Sequence, residues 1–134
     1  MLSKVGIPVV DAHSHYFTAD TMKSWLSRGR TLESFSNRTK SRTDMTSIEL
    51  PDEDWDTAQR WVDELDRFGI QAMGVMVGTE AYDEFLATMK RFPGRFIGYA
   101  NINPSDPDAA EKVKKAARDG FKGIKLYPSS WRGL

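Results

Sequence analysis

Three strand-like runs begin at Ile70, Phe96 and Phe121, 26 and 25 residues apart, and each follows an amphipathic helical pattern. This spacing constrains the fold more than any other feature. Strictly alternating helices and strands give parallel strands joined by right-handed crossovers. The first helical stripe is Trp55, Ala58, Trp61, Val62, Leu65 and Phe68. Asp52 to Asp54 are expected to cap it and Gly69 to end it. The second is Tyr82, Phe85, Leu86 and Met89, stopped by Phe92-Pro93-Gly94. The third is Ala109, Ala110, Val113, Ala116 and Ala117, with Asp106 as cap, Pro107 at the first helical position and Gly120 beyond the end.

A further strand is expected earlier, over Ile7 to Val10, and 63 residues separate Ile7 from Ile70. The first connection is therefore more than twice as long as the later repeats. It holds a short helix over Ala19 to Leu26, with Met22, Trp25 and Leu26 on one side, then a polar stretch over 28–51 that reads as a long loop. Four parallel strands with three crossovers make either the first half of a (β/α)8 barrel or an open doubly wound α/β sheet. A whole barrel needs about 200 residues or more. With 134 residues, and little chain between the fourth strand and Leu134, 1–134 reads as one partial, truncated barrel domain.

Nineteen basic and nineteen acidic side chains cancel, which removes any overall electrostatic drive toward nucleic acid or an anionic membrane. The charge is blocked, net +2 over 1–51, −6 over 52–91 and +4 over 92–134, as solvated helix faces commonly are. No apolar run approaches the ~18–20 residues of a membrane span, and the first residues lack the pattern of a signal peptide. Without cysteine there is neither disulfide nor thiolate chemistry, which fits the cytoplasm.

His13 and His15 are the only histidines, and they follow the first strand-like run directly. In a regular strand, Val9, Asp11, His13 and His15 share a face, so two imidazoles can reach one metal ion and Asp11 can accept a ring N–H behind them. Ligands of parallel α/β folds bind at the C-terminal strand edge, where this motif falls. The same alternation puts Tyr99, Asn101 and Asn103 on one face, and Lys125 and Tyr127 on one face. Asn101, Asn103, Lys125 and Tyr127 are the candidate substrate-binding residues, with Lys125 suited to an anionic group or, carboxylated, to bridging metals. The blander readings are that Lys125 reaches solvent and the asparagines cap turns. Arg28, Arg30, Arg38, Lys40 and Arg42 suggest an anion-binding flap or simply an exposed loop. Trp131 can line a site or pack in the core. There is neither a phosphate-binding glycine loop nor a Gly-x-Ser-x-Gly elbow; Gly74 to Gly78 reads as a buried strand.

Val9-Val10-Asp11-Ala12-His13-Ser14-His15 resembles the first-strand metal motif of the amidohydrolase superfamily. Arg91 to Phe96, Ala100 to Pro104 and Gly120 to Pro128 resemble the third and fourth strands of its amidohydrolase-related branch, which includes aminocarboxymuconate-semialdehyde and resorcylate decarboxylases. The resemblance implies a (β/α)8 barrel with a divalent metal, commonly zinc, on His13 and His15. It also implies a His and an Asp on later strands as further ligands, which this chain does not contain. No residue of the chain is assigned as the catalytic acid or base, because the resemblance implies a general acid/base His on a later strand, expected beyond Leu134. Many relatives carry His where Tyr127 stands. The leading expectation is a metal-dependent hydrolase of C–N or C–O bonds in a small carboxylated molecule, acting through a metal-activated water. A non-oxidative decarboxylase on the same scaffold is the alternative. A metal-dependent phosphoesterase or nuclease is weighed down by the neutral charge, and the isolated chain is expected to lack catalysis of its own. The partner is a small-molecule substrate, and open first and fourth strand edges suggest homo-oligomerisation.

Overall fold

The computed structural model describes residues 6–27 and 55–127. Strand β1 (Val10–His15) leads to helix α1 (Ala19–Ser27). Helix α2 (Thr57–Phe68), β2 (Ala72–Val77), a 3-10 turn (Thr79–Ala81), α3 (Tyr82–Arg91), β3 (Phe96–Asn101), α4 (Ala109–Arg118) and β4 (Gly123–Lys125) follow in order. The expected polar loop over 28–51, the caps at Asp52 to Asp54, Pro128, Trp131 and Leu134 lie outside the described residues.

All four strands are parallel and lie in the order β1-β2-β3-β4. That sequential order has no point at which the winding reverses, unlike a doubly wound sheet. Same-handed crossovers between successive neighbours put α2, α3 and α4 on one face, here called outer. The core confirms it: Val62 and Leu65 of α2, Phe85 of α3 and Ala116 of α4 join Met73, Val75 and Val77 of β2 and Phe96 and Ala100 of β3 in one buried cluster. The result is a four-stranded parallel α/β sheet of the kind found in part of a (β/α)8 barrel.

Local chemistry sets the helix ends. Asp56 caps α2 by accepting from the Gln59 N–H at 2.9 Å, one turn later than the expected Asp52 to Asp54, and Gly69 closes it with φ 67°. Helix α4 starts at Ala109, after Pro107, and neither Asp106 nor Asp108 caps it with a side chain; the Asp106 carbonyl accepts from the Ala109 N–H instead. Of its alanine-rich stripe only Ala116 is buried.

The first strand departs most from expectation. The apolar run Ile7 to Val10 is largely exposed, and the strand instead runs through the polar motif from Val10 to His15. Among the described residues its backbone pairs with β2 alone, and its side chains are mostly exposed. Pairing runs Val10 with Ala72 and Asp11 with Met73, then Ser14 with Val75 and His15 with Met76. One extra residue is accommodated at Ala12–His13: a β-bulge.

Candidate metal and substrate site

The bulge decides which way the motif points. Register neighbours in a parallel sheet share a face, so Asp11, beside the outer-facing Met73, lies opposite His15, beside Met76 on the inner face. The carboxylate of Asp11 accepts from the backbone N–H of His13 at 2.9 Å, an Asx-type bond that suits the extra residue. The expected common face of Asp11 with both imidazoles is thereby corrected, and Asp11 is seen bracing the bulge.

After the bulge the alternation is regular. Ser14 and Tyr16 turn outward; Tyr16 is buried against Phe85 and Phe96, with ring centroids at 5.3 and 6.3 Å, and its hydroxyl shares a 3.0 Å hydrogen bond with Thr88. Burial is the main reason its phenol is pushed up to about 12. This anchor leaves His13 and His15 on the inner face, their ring centroids 5.6 Å apart and the rings inclined at 61°. The His15 ring also stacks on Phe17 at 5.8 Å. Partial burial foremost, then His13 and the ammonium of Lys125, hold His15 below the ordinary imidazole value. A lowered value favours the neutral ring, which is the ligating form.

Lys125 thus makes itself felt at the far side of the sheet. Its register partner is Asn101, so both belong to the inner face with Tyr99. Its Nζ lies 4.7 Å from the centroid of the Tyr127 ring, whose phenol is pushed up by burial. His13, His15, Asn101 and Lys125 therefore lie on the inner face at the C-terminal strand ends, with Tyr127 against Lys125. Asn103 does not join them: its side-chain oxygen accepts from the Ser105 N–H at 3.0 Å and shapes the turn before α4. The end of β3 at Asn101 also borders a cleft of about 290 Å³ between α3 and α4, lined by Val77, Tyr82, Ala100 and Ala116.

Two imidazoles on one zinc ion, each about 2.0–2.1 Å from it in tetrahedral geometry, have centroids roughly 5 Å apart. The observed 5.6 Å separation is close to that value. Among the described residues no group of three His, Asp or Glu side chains comes together to complete a ligand sphere. The pair by itself offers two imidazole donors. The acid/base His expected beyond Leu134 has no counterpart among the described residues, whose only histidines are these two.

Alternation placed Tyr99 on the face of Asn101 but did not reveal the roles of Gly74 and Gly123 in seating its ring. The Tyr99 ring lies along the inner face between β2 and β4: a Cβ on Gly74 would meet its Cε2 at 2.7 Å, and one on Gly123 its Cδ1 at 2.5 Å. The available signal was glycine inside two strands, which marks close approach of another group.

No family model matches the sequence, and no curated protein matches it. Among solved structures, the fold is similar to a 5-carboxyvanillate decarboxylase from Novosphingobium aromaticivorans, with a TM-score of 0.63 and 19% identity over 92% of this chain and 43% of that one. That structure holds manganese and 3-methoxy-4-hydroxy-5-nitrobenzoic acid. It is also similar to a protein from Acinetobacter baumannii assigned as a 2-pyrone-4,6-dicarboxylic acid hydrolase, with citric acid bound, at a TM-score of 0.52 and 13% identity over 90% of this chain and 38% of that one. The likeness is one of fold. This chain spans less than half the length of either protein.

Proposed function

We propose that these residues are the first three βα units and the fourth strand of a metal-dependent (β/α)8 enzyme related to the amidohydrolase superfamily, acting on a small carboxylated molecule. The observation that carries this reading is the placement of His13, His15 and Lys125 on one face at the C-terminal strand ends, with the Lys125 charge acting on His15. Fold similarity to two enzymes, one a decarboxylase with manganese, supports it.

His13 and His15 would hold the metal, zinc or manganese, and a metal so held supplies Lewis acidity, polarising a bound oxygen or acidifying a water. The neutral state of His15 keeps that ring available as a donor below the usual imidazole range. Lys125, steadied over the Tyr127 ring, would meet a substrate carboxylate as a point charge, and Asn101 beside it would hydrogen-bond the same group. The remaining ligands and the acid/base group belong to later strands of such a barrel, so the isolated chain is expected to bind metal weakly and to turn nothing over.

Hydrolysis is the first reading of the reaction, and decarboxylation the second, supported by the fold similarity to the decarboxylase. Titration of the chain with Mn²⁺ and Zn²⁺ tests the metal site: binding is expected for the parent and lost in His13→Ala and His15→Ala. Equal binding by all three overturns the assignment. For an active barrel containing these units, release of carbon dioxide without uptake of water selects the decarboxylase.

A further inference from the structure

Gly74 lies on the inner face of β2, and three groups close upon it. A Cβ there would stand 2.8 Å from the carbonyl oxygen of Ala12 and 3.1 Å from its carbonyl carbon, on the bulge that immediately precedes His13. The same atom would stand 2.7 Å from Tyr99 Cε2. The carbonyl of Gly74 accepts from Ser14 Oγ at 3.0 Å, between the two histidines. Gly74 is not among the glycines with positive φ, so space and not backbone conformation is what demands glycine here.

The surroundings cannot easily give way. The Ala12 carbonyl is part of the bulge backbone, and to move it is to reshape the turn that aims His13. The Tyr99 ring is backed on the other side by Gly123, since the three atoms nearest a Cβ there all belong to that ring. We propose that Gly74 is a positioning residue for the imidazole pair: its bare α-carbon lets the extra residue of β1 fold against β2, and this sets His13 beside His15. The proposal rests on the reading of the pair as metal ligands, but the geometry it explains is that of the protein alone.

The two histidines are the only ones in the chain, so their imidazole NMR signals report on the pair directly. In the metal-free chain the parent is expected to show a cross-relaxation peak between the rings. Gly74→Ala is expected to lose it, to shift both imidazole signals and to weaken Zn²⁺ binding roughly tenfold or more, as loss of support around metal ligands commonly does. Gly98→Ala is the control. A Cβ there would meet Phe121 at 2.7 Å and Phe85 at 2.8 Å, an equally severe clash within the outer core. It is expected to lower the melting temperature while leaving the ring-to-ring peak and Zn²⁺ affinity within about twofold of the parent. If Gly74→Ala lowers the melting temperature in the same way and leaves the imidazole signals in place, Gly74 is structural and the proposal falls. Should Gly74→Ala not fold, Ser14→Ala removes the hydrogen bond to the Gly74 carbonyl; displaced imidazole signals support the proposal and unchanged ones overturn it. A parent that shows the peak but binds no Zn²⁺, with Gly74→Ala still displacing the rings, removes the metal reading and leaves the positioning role standing.

Discussion

On the outer face of the sheet Val75, Val77, Phe85 and Phe96 fill the space under three helices, whereas on the inner face Gly74 and Gly123 leave space that the Tyr99 ring and the β1 bulge occupy. The outer face is held by burial, a non-directional force that tolerates rearrangement. On the inner face, close approach and hydrogen bonds aim particular atoms. The buried core and the face that carries the two imidazoles are thus separated by the thickness of one sheet. The largest expected effect tests this division. Phe85 is fully buried, and Phe85→Ala is expected to cost about 3–5 kcal/mol. Thermal denaturation measures the loss, while below the transition the imidazole NMR signals should match those of the parent. A variant that melts normally, or that melts early and also displaces the imidazoles, breaks the comparison.

Tyr16 connects the two faces, since it belongs to the outer core and follows His15 directly. Tyr16→Phe keeps the ring packing and removes the hydrogen bond to Thr88, itself buried, for an expected cost of about 1–2 kcal/mol at neutral pH. The sign at alkaline pH follows from linkage. The unfolded chain releases this proton near 10 and the folded one at about 12, so between them the folded state binds more protons and stability falls as pH rises. Tyr16→Phe should be free of that contribution. Denaturant melts of both proteins at pH 9 and pH 11 check it; an equal decline in both removes the buried phenol as the cause.

The outer face was legible because burial writes itself into periodicity. Val62, Leu65 and Phe85 stand at helical spacing, and Gly69 stops its helix where a left-handed residue is needed. Spacing of the strands gave their number, direction and order of appearance. The histidines were legible as a pair because they are two apart and the strand is regular from His13 onward. Asp11 was misplaced because a bulge leaves no compositional mark: one inserted residue turned the carboxylate to the other face. Strand β1 was misbounded for a related reason. An edge strand is defined by backbone pairing, which polar residues make as well as apolar ones, while Ile7 and Val10 stay exposed. The face of Tyr99 followed from alternation, but its seat was hidden because the glycines that make it come from two other strands.

The next effect concerns the inner face alone. Burial comes first among the causes of the lowered His15 value, with His13 and Lys125 after it. Lys125→Met removes one positive charge and leaves the other two causes, so His15 should titrate higher than in the parent while remaining neutral at alkaline pH. Protonation then competes with metal binding at a higher pH, and Zn²⁺ affinity should begin to fall earlier on acidification. An NMR pH titration of the two imidazoles gives the shift directly. An unmoved His15 would show that the two strand ends do not share an electrostatic environment, and Lys125 would leave the site.

The smallest effect comes from a charge on the helix side. Glu84, in the first turn of α3, has its carboxyl raised chiefly by burial, against a hydrogen bond from Thr18 and with help from Asp20. Its unfolded value lies near 4.3, so in the window above it the folded state holds the proton longer and the unfolded state binds fewer. Stability therefore falls as pH rises through that window and stays reduced at neutral pH. Glu84→Gln keeps a hydrogen-bonding oxygen for Thr18 and removes the charge, so it should melt slightly above the parent at pH 7 and level with it at about pH 4. Because Glu84 packs on the outer side, the imidazole signals should not respond. A gain that persists unchanged at pH 4 would mean that side-chain packing, and not the carboxylate charge, separates the two proteins.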